Sequence, residues 1–133
     1  MKTSKVRYAR SKGKTFEYSC LESLQQKWPD MYLTAERGFQ KQFDLCSDKD
    51  NIAVECKRHS NFSWNELIKL FYKLEKNAPD KYLCFLIIRA NQQPGLVMYR
   101  RVDNNKINLC NFEDFFGVPL IKHTPIRKKK LTE

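Results

Sequence analysis

Apolar residues recur at helical spacing from Thr15 to about Lys27, where Phe16, Cys20, Leu21, Leu24 and Trp28 fall on one face and predict an amphipathic helix. Thr15 is placed to cap its N-terminus, and Gly13 frees the approach. Trp28-Pro29 stops the helix, because the residue before a proline avoids helical dihedrals. Met31 to Glu36 and Lys41 to Cys46 read as short strands separated by Arg37-Gly38. A turn at Ser47 to Asn51 then leads into a third strand, Ile52 to Lys57, and the last two strands form a hairpin. Ser63 to about Asn77 predicts a second helix: Ser63 and Glu66 fit a capping box, Trp64, Leu67, Ile68, Phe71 and Leu74 share a face, and Pro79 ends it. Tyr82 to Arg89 is a near-continuous apolar run, as expected of a strand covered on both faces. After the turn at Gln93-Pro94-Gly95 come a strand over Leu96 to Val102, a short one over Lys106 to Cys110, and a helical turn around Phe112 to Phe116. This order predicts an α/β class, with one mixed central sheet flanked by helices.

The length, 133 residues, suits a single domain, and 41% hydrophobic content is enough for a core that folds unaided. The longest apolar run is far below the ~20 residues of a membrane span, and the N-terminus lacks a signal-like stretch, so the expected location is intracellular with no membrane partner. That means cytoplasm or nucleoid, or a host cell if the chain is virus-encoded. Five cysteines without a Cys-x-x-Cys pair read as reduced, buried thiols, and two histidines are too few to suggest zinc.

Charge changes the picture. The net charge is +10, and residues 1–14 carry Lys2, Lys5, Arg7, Arg10, Lys12 and Lys14 with no acid, while Arg127 to Lys130 are four consecutive cations. The division expected is a basic arm over 1–14, a domain over 15–121 and a basic tail over 122–133. Cations at both ends of a balanced body suit a polyanion, since each one near a phosphate releases condensed counterions. Lys41, Arg58, Arg100 and Arg101 are further candidate phosphate contacts.

The acids add chemistry. Side chains alternate along a strand, so Glu55 and Lys57 share one face while Ile52, Val54 and Cys56 share the other. If 41–46 pairs antiparallel with 52–57, Asp44, set between Phe43 and Leu45, comes near Val54 and Glu55. Two carboxylates can anchor Mg²⁺, with Mn²⁺ able to substitute, and lysine can orient or deprotonate water. That combination suits phosphodiester hydrolysis.

The spacing Asp44, then Glu55-x-Lys57, resembles the PD-(D/E)XK nuclease superfamily. Lys12-Gly13-Lys14-Thr15-Phe16-Glu17 is similar to the Lys-Gly-x-x-x-Glu segment that opens the first helix of archaeal-type Holliday junction resolvases. The resemblance spans about residues 8 to 100. It implies a restriction-endonuclease-like fold, Glu17, Asp44 and Glu55 at the metal, and Lys57 positioning the attacking water. Phe43 stands where the motif often has proline, and Glu36 to Gln40 lacks the serine those resolvases carry. Glu17 is compatible on its own terms, since the first turn of a helix favours an anion.

The expected function is a Mg²⁺-dependent structure-specific DNA endonuclease of the Holliday junction resolvase kind, nicking four-way DNA symmetrically as a homodimer. The alternatives are an endonuclease of the same superfamily acting on duplex or single-stranded DNA, or an inactive nucleic-acid-binding relative.

Overall fold

A computed structural model describes residues 4–38 and 42–122, with side chains from Lys14 onward. Lys41 and the 123–133 segment, which holds Arg127 to Lys130, lie outside the described residues, as do the side chains of Lys5, Arg7, Arg10 and Lys12.

The chain opens with helix α1, Ser4–Gln25. It therefore begins well before Thr15: most of the segment expected as a basic arm is the first half of this helix, and Thr15 is an interior residue. Lysine, arginine and alanine are good helix formers, and one glycine costs only about 1 kcal/mol in a helix interior, so Gly13 does not break the run. Phe16, Cys20 and Leu24, four residues apart, are the buried stripe. The helix ends as expected before Pro29, with the Trp28 N–H still bonded to the Leu24 carbonyl at 2.8 Å.

Six strands follow as β1 (Tyr32–Leu33), β2 (Leu45–Ser47), β3 (Ile52–His59), β4 (Leu83–Ala90), β5 (Leu96–Arg100) and β6 (Ile107–Asn111). They lie side by side in chain order in one sheet. Only β3 and β4 pair in parallel, with Glu55 opposite Leu86 and Arg58 opposite Arg89. Helix α2, Trp64–Asn77, makes the crossover such a pair needs. The Ser63–Glu66 capping box is present, with Ser63 Oγ accepting from the Glu66 N–H and Glu66 Oε1 from the Ser63 N–H. The short α3, Phe112–Phe116, closes the described fold.

The sheet separates two apolar layers. On one face Phe16, Cys20 and Leu24 of α1, with Phe112 and Phe116 of α3, cover Val54, Cys56, Phe85 and Ile87. On the other face Leu67, Phe71 and Leu74 of α2 cover Ala53, Leu86 and Ile88. Strand β4 thus buries both faces, as its apolar run predicts. Trp64 departs from expectation: it is the first residue of α2 and stands 52% exposed. Two predicted strands also shorten. Thr34–Arg37 is a 3-10 turn that ends at Gly38 in a left-handed conformation, and β2 begins only at Leu45.

The β2–β3 hairpin, which sets the register of the candidate site, is held from outside the ladder. Asp48 accepts from Tyr32 Oη at 2.8 Å and Tyr82 Oη at 2.9 Å. Asp30 accepts from Ser47 Oγ and from the Lys49 N–H. The cysteines are all free, with Cys20, Cys46 and Cys56 buried. Among the described residues no helix is long and apolar enough to cross a membrane.

Candidate active site

Residues 42–44 bend away from a strand path just before β2, and Asp44 turns inward, where it is buried. Its backbone is tied on both sides. The Asp44 N–H donates to the Val54 carbonyl at 2.9 Å, and the Asp44 carbonyl accepts from the Thr34 N–H at 3.0 Å. Beyond Leu45 opposite Val54 the β2–β3 pairing stops, and there Asp44 Oδ2 accepts the Cys56 N–H at 2.8 Å. A side chain takes over from the ladder, so the carboxylate sits where the two strands separate.

Glu55 and Lys57 stand beside it on β3, with Lys57 Nζ 3.6 Å from Glu55 Oε2. Burial, then the negative charge of Asp44, push the Glu55 carboxyl up to about 7, with a hydrogen bond to Asp44 adding to the rise and Lys57 opposing it. Asp44, Glu55 and Lys57, predicted to converge, are brought together.

Glu17, which the motif resemblance sets beside these acids, lies on α1, the helix that covers the Cys56 face of the sheet, opposite the face onto which Glu55 and Lys57 alternate. Cys56 packs with Cys20 of that helix, and its thiol, already pushed well up by burial and by Cys20, also feels the charges of Asp44 and Glu17. Glu17 lies in the interior of a helix that starts at Ser4, so the helix N-terminus does not account for its position. Among the described residues, no three His, Cys, Asp or Glu groups stand close enough to hold a metal ion as placed. The centre the structure presents is the Asp44–Glu55 pair with Lys57, and Glu17 is a further carboxylate on the α1 side.

The predicted phosphate contacts divide. Lys14 is exposed on α1, and Arg58 is partly buried at the end of β3. Arg100 is bound by Glu75 of α2 through Nε at 2.5 Å and Nη2 at 3.0 Å, and its Nη1 donates to the Asn105 carbonyl. Arg101 makes a similar two-point pair with Asp103. Both guanidinium groups therefore already hold carboxylates, and Arg100 fastens α2 to β5. His59, exposed at the end of β3, stacks on Phe62 at 5.0 Å.

This donor set fits a hard divalent cation. It is all oxygen, and two neighbouring carboxylates in a partly dry setting repel each other until a proton or a cation is shared between them. Lys57 brings a third element, a positive donor beside the same acids.

Thr34 is a site residue that sequence reading does not reach. Its hydroxyl donates to the Phe43 carbonyl and its backbone N–H to the Asp44 carbonyl, so this buried side chain holds the bend that presents Asp44. The only sequence signal is a lone threonine within an expected strand. Thr34→Val removes the hydroxyl donor at nearly constant volume and leaves the Phe43 carbonyl without that partner. The expected loss is about 1–3 kcal/mol of stability in urea unfolding; an unchanged midpoint would show that the bend holds without Thr34. No protein-family model, curated protein or solved structure matches this chain, so its functional reading stands on the geometry of these residues and on the sequence motif they form.

Proposed function

We propose that this chain is a divalent-metal-dependent DNA endonuclease of the PD-(D/E)XK kind, with a restriction-endonuclease-like fold. The observation that carries this reading is the meeting of Asp44, Glu55 and Lys57 where β2 and β3 separate. The order of elements supports it too: a helix, an antiparallel hairpin bearing the acids, a crossover helix and a parallel strand.

Asp44 and Glu55 are the residues that would hold Mg²⁺ or Mn²⁺; Glu17, which the motif resemblance adds to them, stands on α1 and is not grouped with them as placed. When bound, the ion supplies positive charge against the charge developing at phosphorus. Lys57 orients the attacking water or takes its proton, and its ammonium adds to the neutralisation of the phosphate. Asp44 keeps its orientation through the Cys56 N–H and the Thr34 clamp, so its geometry exists before substrate arrives.

DNA is the proposed substrate because the net charge is +10 and concentrated toward the two ends of the sequence. Branched DNA, cut by a symmetric homodimer, follows from the resemblance of the Lys12 to Glu17 segment. Cleavage of a four-way junction, a flap and a linear duplex of equal length with Mg²⁺ is the direct test. Faster paired nicking of the junction is expected. Equal rates would leave an endonuclease without junction preference, and binding with no hydrolysis of any of the three, in Mg²⁺ or Mn²⁺, would refute catalysis.

A further inference from the structure

Beyond the acidic centre, β3 and β4 end in two arginines side by side. In the parallel register Arg58 lies opposite Arg89, on strands about 4.8 Å apart. Alternation sets both on the α1 side of the sheet, continuing the rows Ile52, Val54, Cys56 and Phe85, Ile87. The two cations repel, and the Arg89 guanidinium is held below its ordinary value by burial and then by Arg58. Arg58 Nε is buried without a hydrogen-bond partner, whereas Arg89 Nε donates to the Gln93 carbonyl at 3.0 Å. A buried N–H of a charged group left unpaired is costly, and a native fold seldom keeps one without a role for that group.

The surroundings indicate what that role is. Arg89 opens onto a cleft of about 330 Å³, whose lining includes Gln92, Gln93, Asn111 and Lys122. Its acid, Glu113, already accepts from the Leu120 N–H at 3.2 Å. Cations and amide donors therefore continue from β3 past β4 toward the β6 end of the sheet, a track longer than a single anion needs. Planar guanidinium groups match phosphate oxygens two at a time.

We propose that Arg58 and Arg89 form a twin clamp for a nucleic-acid backbone phosphate, with the Lys122 cleft continuing the path of the strand. This rests on the nucleic-acid reading above but not on hydrolysis. Arg58 lies three residues beyond Glu55, about 10 Å along β3 and on the other face. The phosphate it holds is therefore distinct from the one at the carboxylates and lies on the opposite face of the sheet.

The test is binding of a fluorescent four-way junction and a fluorescent duplex in EDTA, over about 50 to 200 mM salt. Wild type, R58Q/R89Q and R58K/R89K are compared. R58Q/R89Q is expected to lower the slope of log K against log salt by about 1, since the slope counts phosphates neutralised and the pair holds one, and to weaken binding roughly 10- to 100-fold. R58K/R89K is expected to recover the slope but only part of the affinity. Thermal unfolding of R58Q/R89Q should match or exceed wild type, because a repulsion has been removed. An unaltered slope overturns the clamp. Inhibition by millimolar inorganic phosphate that vanishes in R58Q/R89Q, with the DNA slope unchanged, also overturns it by assigning the pair to a small free phosphate. Since EDTA excludes cleavage, a chain that proves unable to hydrolyse DNA fails the reading above while this result still decides the clamp.

Discussion

Asp44→Asn and Glu55→Gln are each expected to reduce DNA cleavage by at least about 10³-fold while leaving affinity for the junction near wild type. The size follows from the role: charge stabilisation by a bound divalent ion contributes several kcal/mol, and about 4 kcal/mol corresponds to a thousandfold in rate. Both substitutions preserve shape. After Asp44→Asn the side-chain amide oxygen can still accept the Cys56 N–H, so the fork between β2 and β3 should hold. Single-turnover cleavage in Mg²⁺, paired with binding in EDTA, separates the two effects. Cutting at the wild-type rate by either purified variant would remove these carboxylates from the reaction, and loss of binding together with cutting would mean that they act through the fold instead.

Much of this architecture is legible because the relevant patterns are local. The Ser63–Glu66 capping box, the apolar stripe of α2 and the double-sided run of β4 each carry their physics within a few residues, and each appears where expected. The pairing of β2 with β3 is also readable, since a short turn between two apolar segments allows few other arrangements. What cannot be read depends on tertiary partners. Residues 42–44 look like strand by composition, yet they bend because Thr34, nine residues before Phe43, captures the carbonyls there. Arg100 resembles any surface cation until Glu75 is found beside it from α2. The start of α1 is hidden for a different reason. Gly13 and Thr15 form a plausible local helix start, and a weak preference of that kind gives way when the residues on both sides favour helix.

The candidate site shows the same division. Alternation puts Glu55 and Lys57 on one face, and hairpin geometry brings Asp44 near them; both inferences need only strand periodicity. Arg89 is inconspicuous because it ends an apolar run and reads as the boundary of a strand. Only the parallel register, which depends on the α2 crossover, sets it against Arg58.

The Asp44–Glu55 pair also has a consequence for stability that does not involve substrate. Glu55 is pushed up to about 7 in the folded chain, from 4.5 for a free side chain, so between those values the folded state binds a proton that the unfolded chain has released. Stability from this group is therefore fullest below about pH 4.5 and is lost as pH rises through 7. The loss above pH 7 is on the order of 2–3 kcal/mol, which for a chain of this length is roughly 10 °C in Tm. Glu55→Gln cannot acquire the charge. Without divalent ions the variant should match wild type near pH 5 and melt higher near pH 8, so the difference between the two curves reports the Asp44–Glu55 pair apart from the more distant titrating groups. Mg²⁺ should then raise the wild-type Tm at pH 8, because an ion held between the two carboxylates stabilises the folded state alone, and should do little for Glu55→Gln. Parallel curves for the two proteins from pH 5 to 8 would mean that Glu55 ionises without penalty, and an equal Mg²⁺ response in both would place the ion elsewhere.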